Sequence, residues 1–113
     1  MGILSELSTQ LGLSEDFLIK KKFLSLEFDN EYTLEIKVIE KNILFYLSNK
    51  KTASIDHLYK LIKSNTERNK QLGLVRFLIL DSILVATNSI PIMGTNIQQV
   101  DKLILDLKDS IQL

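Results

Sequence analysis

The spacing of polar and apolar positions changes several times along the chain, and each change marks an element. Ile3, Leu4, Leu7 and Leu11 fall on one helical face. They predict a first helix over about 3–11, capped by Gly12, where left-handed backbone is least costly for glycine. The stretch 13–20 is ambiguous: Ser14-Glu15-Asp16 can cap a helical turn, or the segment can run extended into a strand. The period then drops to two. Leu24, Leu26 and Phe28 share one face of a first strand, and Asp29-Asn30 supplies a turn. Tyr32, Leu34, Ile36 and Val38 alternate with Thr33, Glu35 and Lys37, which predicts a second strand with one buried and one wet face. After a turn at Glu40-Lys41-Asn42, a third strand covers Ile43 to Ser48.

The helical period returns after Ser54, a good N-cap, with Asp56 near the positive end of the helix dipole. Ile55, Leu58, Tyr59, Leu61 and Ile62 give this second helix a broad apolar face. The polar run from Ser64 to Gln71 either extends it as a solvated arm or frays, and Gly73 ends the segment. Leu74 to Leu80 and Ile83 to Ala86 then form a hairpin across Asp81-Ser82. These two strands are apolar on both faces and need cover on both sides. The first and last helices can cover one side; the second helix or another subunit must cover the other. Pro91 ends the fifth strand, because it cannot donate to a ladder. Thr95-Asn96-Ile97-Gln98 resembles a capping box ahead of a last helix carrying Val100, Leu103, Ile104, Leu107 and Ile111. The expected fold is α+β, in the order α-β-β-β-α-β-β-α, a twisted antiparallel sheet flanked by helices in a single domain over residues 1–113.

Composition narrows the chemistry. Of 113 residues, 45% are apolar and 25% charged, so wholesale disorder is not expected. There is no cysteine, which removes disulfides, thiolate zinc sites and thiol nucleophiles together and fits a reducing cytoplasm. The N-terminal residues carry an early acid and no basic region, unlike a signal peptide. No apolar run, Phe77 to Leu80 included, comes near the length needed to span a membrane. Fourteen basic residues balance fourteen acidic ones, whereas a nucleic-acid binder usually shows a basic excess. His57 is the only histidine and the four glycines are scattered, so neither a metal centre, a catalytic triad nor a phosphate-cradling loop is visible. The expectation is a non-enzymatic protein without a cofactor.

The order of elements, with Leu11-Gly12-Leu13 at the end of the first helix, Leu24-Ser25-Leu26-Glu27-Phe28-Asp29 and Tyr32-Thr33-Leu34 in the first hairpin, and Ile90-Pro91-Ile92 after the fifth strand, resembles the class I type III secretion chaperones of Gram-negative bacteria. The resemblance covers nearly the whole chain. It implies a cytoplasmic homodimer, or one half of a heterodimer, that holds an extended N-terminal segment of a secreted effector or secretion-apparatus protein without using ATP. Such a guest can add to a sheet and place alternate side chains in apolar pockets. Apolar residues on the nominally wet faces are the expected guest contacts: Phe23, Ile39, Leu44 and Tyr46, with Leu7 and Phe17 near the first helix. Leu58, Tyr59, Ile62, Phe77 and Ile79 are the expected dimer interface. Two other readings compete. One is a dimeric adaptor unrelated to secretion. The other is a double-stranded RNA-binding module, suggested by the helix, three strands and helix and by the lysines of Ser48-Asn49-Lys50-Lys51-Thr52-Ala53.

Overall fold

Two kinds of local signal fix where the chain turns: residues that tolerate left-handed backbone, and polar side chains that replace lost backbone partners. In the computed structural model, which describes residues 2–69 and 75–111, they delimit α1 (Ile3–Gln10), α2 (Phe17–Lys21), β1 (Phe23–Phe28), β2 (Tyr32–Ile39), β3 (Asn42–Asn49), α3 (Ile55–Asn69), β4 (Arg76–Leu80), β5 (Ile83–Pro91) and α4 (Ile97–Ser110). Gly12, at φ +79°, ends α1 as expected. The Leu13 N–H reaches back to the Ser8 carbonyl at 2.9 Å, the six-residue closure typical of a glycine-terminated helix. Asp29 and Asn30, in the three-residue β1–β2 connection, and Asp81 and Ser82 all have positive φ; in the two-residue Asp81-Ser82 loop this is the mirror-image turn whose twist suits a tight hairpin.

The ambiguous stretch resolves into α2. It has no side-chain cap, and tertiary contact sustains it. Leu18 is fully buried, and its N–H donates to the buried Ser8 hydroxyl at 3.2 Å. That hydroxyl in turn donates to the Leu4 carbonyl at 2.7 Å. One side chain thus ties α1 to α2 with both its donor and acceptor used. On the surface of α2, Lys20 lies 2.7 Å from Asp16 and holds that carboxyl below its ordinary range.

The five strands form one antiparallel sheet in the order β1-β2-β3-β5-β4. Strand alternation sends Tyr32, Leu34 and Ile36 of β2, Ile43, Phe45 and Leu47 of β3, and Leu84 and Ala86 of β5 into one core. Ile3 and Leu7 of α1 and Val100, Leu103 and Leu107 of α4 belong to the same core, as expected for the first and last helices. The capping box sits one residue later than its sequence pattern suggested. Asn96 is the N-cap, accepting from the Gln99 N–H at 2.9 Å, while Gln99 Oε1 accepts from the Asn96 N–H at 2.8 Å. Ser54 caps α3 through the His57 N–H at 3.2 Å, and α3 continues through the polar run to Asn69. The expected stop at Gly73 and strand start at Leu74 lie outside the described residues.

The two-sided hairpin packs under the core on one side; on the other side, among the described residues, only Val85 is buried. Leu58, Leu61 and Ile62 of α3 join the core together with Phe77 and Ile79 of β4. On the other side Leu78 and Leu80 are 45% and 59% exposed. The second of the expected long helices therefore adds to the side that α1 and α4 already occupy.

Two polar details hold this arrangement and can be tested. Asn49 is buried at the end of β3; its Nδ2 donates to the Ile111 carbonyl at 3.0 Å, and its Oδ1 accepts from the Lys51 N–H at 2.9 Å. Asn49→Ala strips a buried carbonyl of its donor, so we expect a loss of about 2 kcal/mol in chemical denaturation; a change within error would show that water takes over both bonds. Ser82 holds φ +64° without being glycine. Ser82→Gly relieves that backbone and should raise stability by about 0.5–1 kcal/mol, less the entropy glycine regains when unfolded. A lower melting temperature would contradict this.

Candidate protein-binding surface

The sheet face opposite the core is built row by row from the strand register. One row runs Phe23, Lys37, Leu44, Ser89 across β1, β2, β3 and β5. The next runs Ser25, Glu35, Tyr46, Thr87, Arg76 and reaches β4. A third runs Glu27, Thr33, Ser48, Val85, Leu78. The β1–β2 end is mixed and charged. The β3–β5–β4 end carries Leu44, Tyr46, Leu78, Ile83 and Leu80. No described helix lies in the core cluster with these residues.

Between β3 and β4 this face is concave. A groove of about 430 Å³ is lined by Leu44 and Tyr46, by Thr87, Asn88 and Ser89, and by Arg76 and Leu78. At its margin the Lys37 ammonium lies 5.2 Å from the Tyr46 ring centre and 5.9 Å from that of Phe23. Each contact of this kind is worth about 0.5–1 kcal/mol at an exposed site, so Lys37 braces both rings. The floor is apolar, the walls offer hydroxyl and amide groups, and the guanidinium stands at one end. Such a surface can bind a chain segment by burial and hydrogen bonding, and it contains no acid, base and nucleophile set for catalysis. Among the described residues, no three histidine, aspartate or glutamate side chains gather as a metal site would.

The expected guest residues divide into four groups. Leu44 and Tyr46 meet in the groove. Phe23 and Ile39, 45% and 50% exposed, extend the same face toward β1 and β2. Phe17 is half-buried against the core. Leu7 is corrected: at 1% exposure it is enclosed by its own chain, because the face of α1 that carries it is the face that packs on the sheet. The expected interface set needs the same correction at Leu58, which is 0% exposed and fills the core beneath α3. Ile62, Phe77 and Ile79 are half-buried around it, and Tyr59 faces outward.

A second crevice was missed from the sequence. Leu11 of α1, Leu26 and Leu34 of the first hairpin, and Ile104 and Leu105 of α4 line about 350 Å³. Gln10 spans its rim, donating to Asp101 at 2.7 Å. Exposed Leu105 on the otherwise polar face of α4 was the available signal. Nearby, Lys108 lies 2.9 Å from Asp29, which holds the ammonium above its usual range and fastens α4 to the β1–β2 turn. Lys50 and Lys51, the lysines behind the RNA-binding reading, lie 2.8 Å from Glu27 and 3.6 Å from Glu31.

No family model matches the chain, and no curated protein matches it by sequence. Solved structures do match. A chain of the heterodimeric complex ExoU–SpcU from the type III secretion system of Pseudomonas aeruginosa superposes with a TM-score of 0.68 at 18% identity, over 95% of this chain and 90% of that one. A chain of the ExsC–ExsE complex gives 0.66 at 14% identity, over 96% and 85%. YbjN of E. coli, a candidate transcription regulator, gives 0.56 at 20% identity, over 96% and 82%. At these identities the likeness is one of fold: this α+β architecture is that of chains found in type III secretion complexes. Among the described residues no helix is long and apolar enough to cross a membrane.

The groove's independence from the core can be checked directly. Leu44→Glu and Tyr46→Glu, on the face away from the core, should leave far-ultraviolet circular dichroism and cooperative melting intact, with stability changed by less than about 1 kcal/mol. Collapse of the fold in both would show that these side chains are structural.

Proposed function

We propose that this protein is a cytoplasmic type III secretion chaperone. It binds an extended N-terminal segment of a secreted effector or secretion-apparatus protein and keeps it ready for export, without ATP and without catalysis. The observation that carries this reading is the uncovered groove around Leu44, Tyr46 and Leu78 on a fold shared with chains of two type III secretion complexes. The physics suits the task. A segment bound on the sheet can bury alternate side chains and exchange hydrogen bonds with Thr87 and Ser89. Because it arrives unfolded, it loses ordering entropy on binding, which keeps the complex releasable.

Self-association belongs to the same proposal. Ile55 and Tyr59 lie on the outward side of α3, over the half-buried Ile62, Phe77 and Ile79. An apolar patch there suits a second copy or a related partner. Light scattering at micromolar concentration should give a dimer, and Tyr59→Glu should shift it toward monomer. A monomer from the unmodified chain, purified without a partner, would remove this part of the proposal.

The decisive experiment is purification of the tagged protein from its native host, followed by mass spectrometry of what accompanies it. A stoichiometric secreted protein held through its N-terminal segment supports the chaperone reading. Leu44→Glu or Tyr46→Glu should then lower its recovery at least about tenfold. The dimeric adaptor remains a distinct reading because YbjN shares the fold. A stoichiometric cytosolic partner with no export signal would favour it, and RNA would overturn both.

A further inference from the structure

We infer that the guest segment carries a carboxylate next to an apolar side chain, and that the outer groove reads this pair with Arg76 and with Leu44, Tyr46 and Leu78. The inference rests on the guest-binding reading above and specifies the chemistry of the guest. Arg76 is exposed at the start of β4 and lines the groove. It stands in the row of Tyr46 and Thr87, and Leu78 follows it on the same face. Among the described residues it faces no acid at ion-pair distance, whereas Lys20, Lys50, Lys51 and Lys108 each have one. Lys37, also on this face, is engaged by two aromatic rings.

A planar guanidinium beside an apolar floor is suited to a carboxylate, which it can grip with two parallel hydrogen bonds. Partial burial by the guest would strengthen that contact, and the adjoining apolar side chain would fill the groove. Thr87 and Ser89 line the groove between the two contacts, with hydroxyls that can meet the guest's backbone.

A second copy is the competing occupant, since Glu35 lies in the same row as Arg76. Two copies packed face to face about a two-fold axis could bring Glu35 against the partner's guanidinium. They would also set one concave groove against an identical one and enclose a void where close packing is needed. An extended segment is convex and fills the hollow, so shape favours the guest.

The test uses the full chain and a display library of random twelve-residue peptides, selected in parallel on the unmodified protein and on Arg76→Glu. The unmodified protein should enrich peptides with aspartate or glutamate one or two positions from a large apolar residue. Those peptides should bind Arg76→Glu at least about tenfold more weakly, lose binding to Leu44→Glu, and weaken as salt rises. The Arg76→Glu selection should shift toward lysine or arginine. Peptides without an acidic preference, or bound equally by Arg76→Glu, overturn the inference while leaving the guest reading standing. Failure to enrich any peptide counts against both. A change of oligomeric state in Arg76→Glu without peptide, restored by adding Glu35→Arg, assigns the face to a second copy and overturns the inference.

Discussion

The pairing of β3 with β5 is the contact on which the rest of the structure depends. It joins the N-terminal meander to the C-terminal hairpin, and the chain must close over α3 and its flanking segments before it forms. Loop closure on this scale grows only slowly with length, so burial in the middle of the sheet can offset it. Ile43, Phe45 and Leu47 of β3 are completely buried, as are Leu84 and Ala86 of β5. α4 packs across this centre, and Asn49 anchors its end through the Ile111 carbonyl. Without this ladder the chain would hold a three-strand meander and a separate two-strand hairpin, and the hairpin would be too narrow to stand alone.

That central ladder also decides which face of the sheet the core leaves uncovered. All described helices that contribute to the core do so from one side. The opposite face is left to its own side chains, and its chemistry changes across the sheet. At the β1–β2 end, ion pairs and the Lys37–ring contacts satisfy the surface locally. At the β3–β5–β4 end, apolar side chains and Arg76 remain available. The fold is common to chains of secretion complexes and to YbjN, so the architecture alone does not select a function. Selection rests on the side chains of this face.

Much of the frame was legible in the sequence because local chemistry and tertiary need agreed. Gly12, Asp29-Asn30, Ser54 and the alternation of β2 each carry a signal that depends on a few neighbouring residues. α2 was not legible: five residues give no helical period, and burial of Leu18 together with the Ser8 hydroxyl holds them. The shift of the cap from Thr95 to Asn96 is a one-residue ambiguity between two good capping residues. The site was legible in part. Leu44 and Tyr46 stood out as apolar residues on a wet face. Leu7 and Leu58 could not be separated from core by spacing, since a packed helix and a docking helix have the same apolar stripe. Arg76 drew no attention, because what sets it apart is the lack of an acid at ion-pair distance among the described residues, which only the assembled sheet reveals.

The alternation along β3, β5 and β4 has an evolutionary consequence. Each strand carries two interleaved sets of side chains, one residue apart, with the inward set packing the core and the outward set forming the opposite surface. Changes to one set need not disturb the other. On the proposed chaperone reading, a lineage built on this sheet could exchange clients by drift at alternate codons while its stability stays almost constant. Such exchange would leave sequence identity low between proteins whose shapes still superpose.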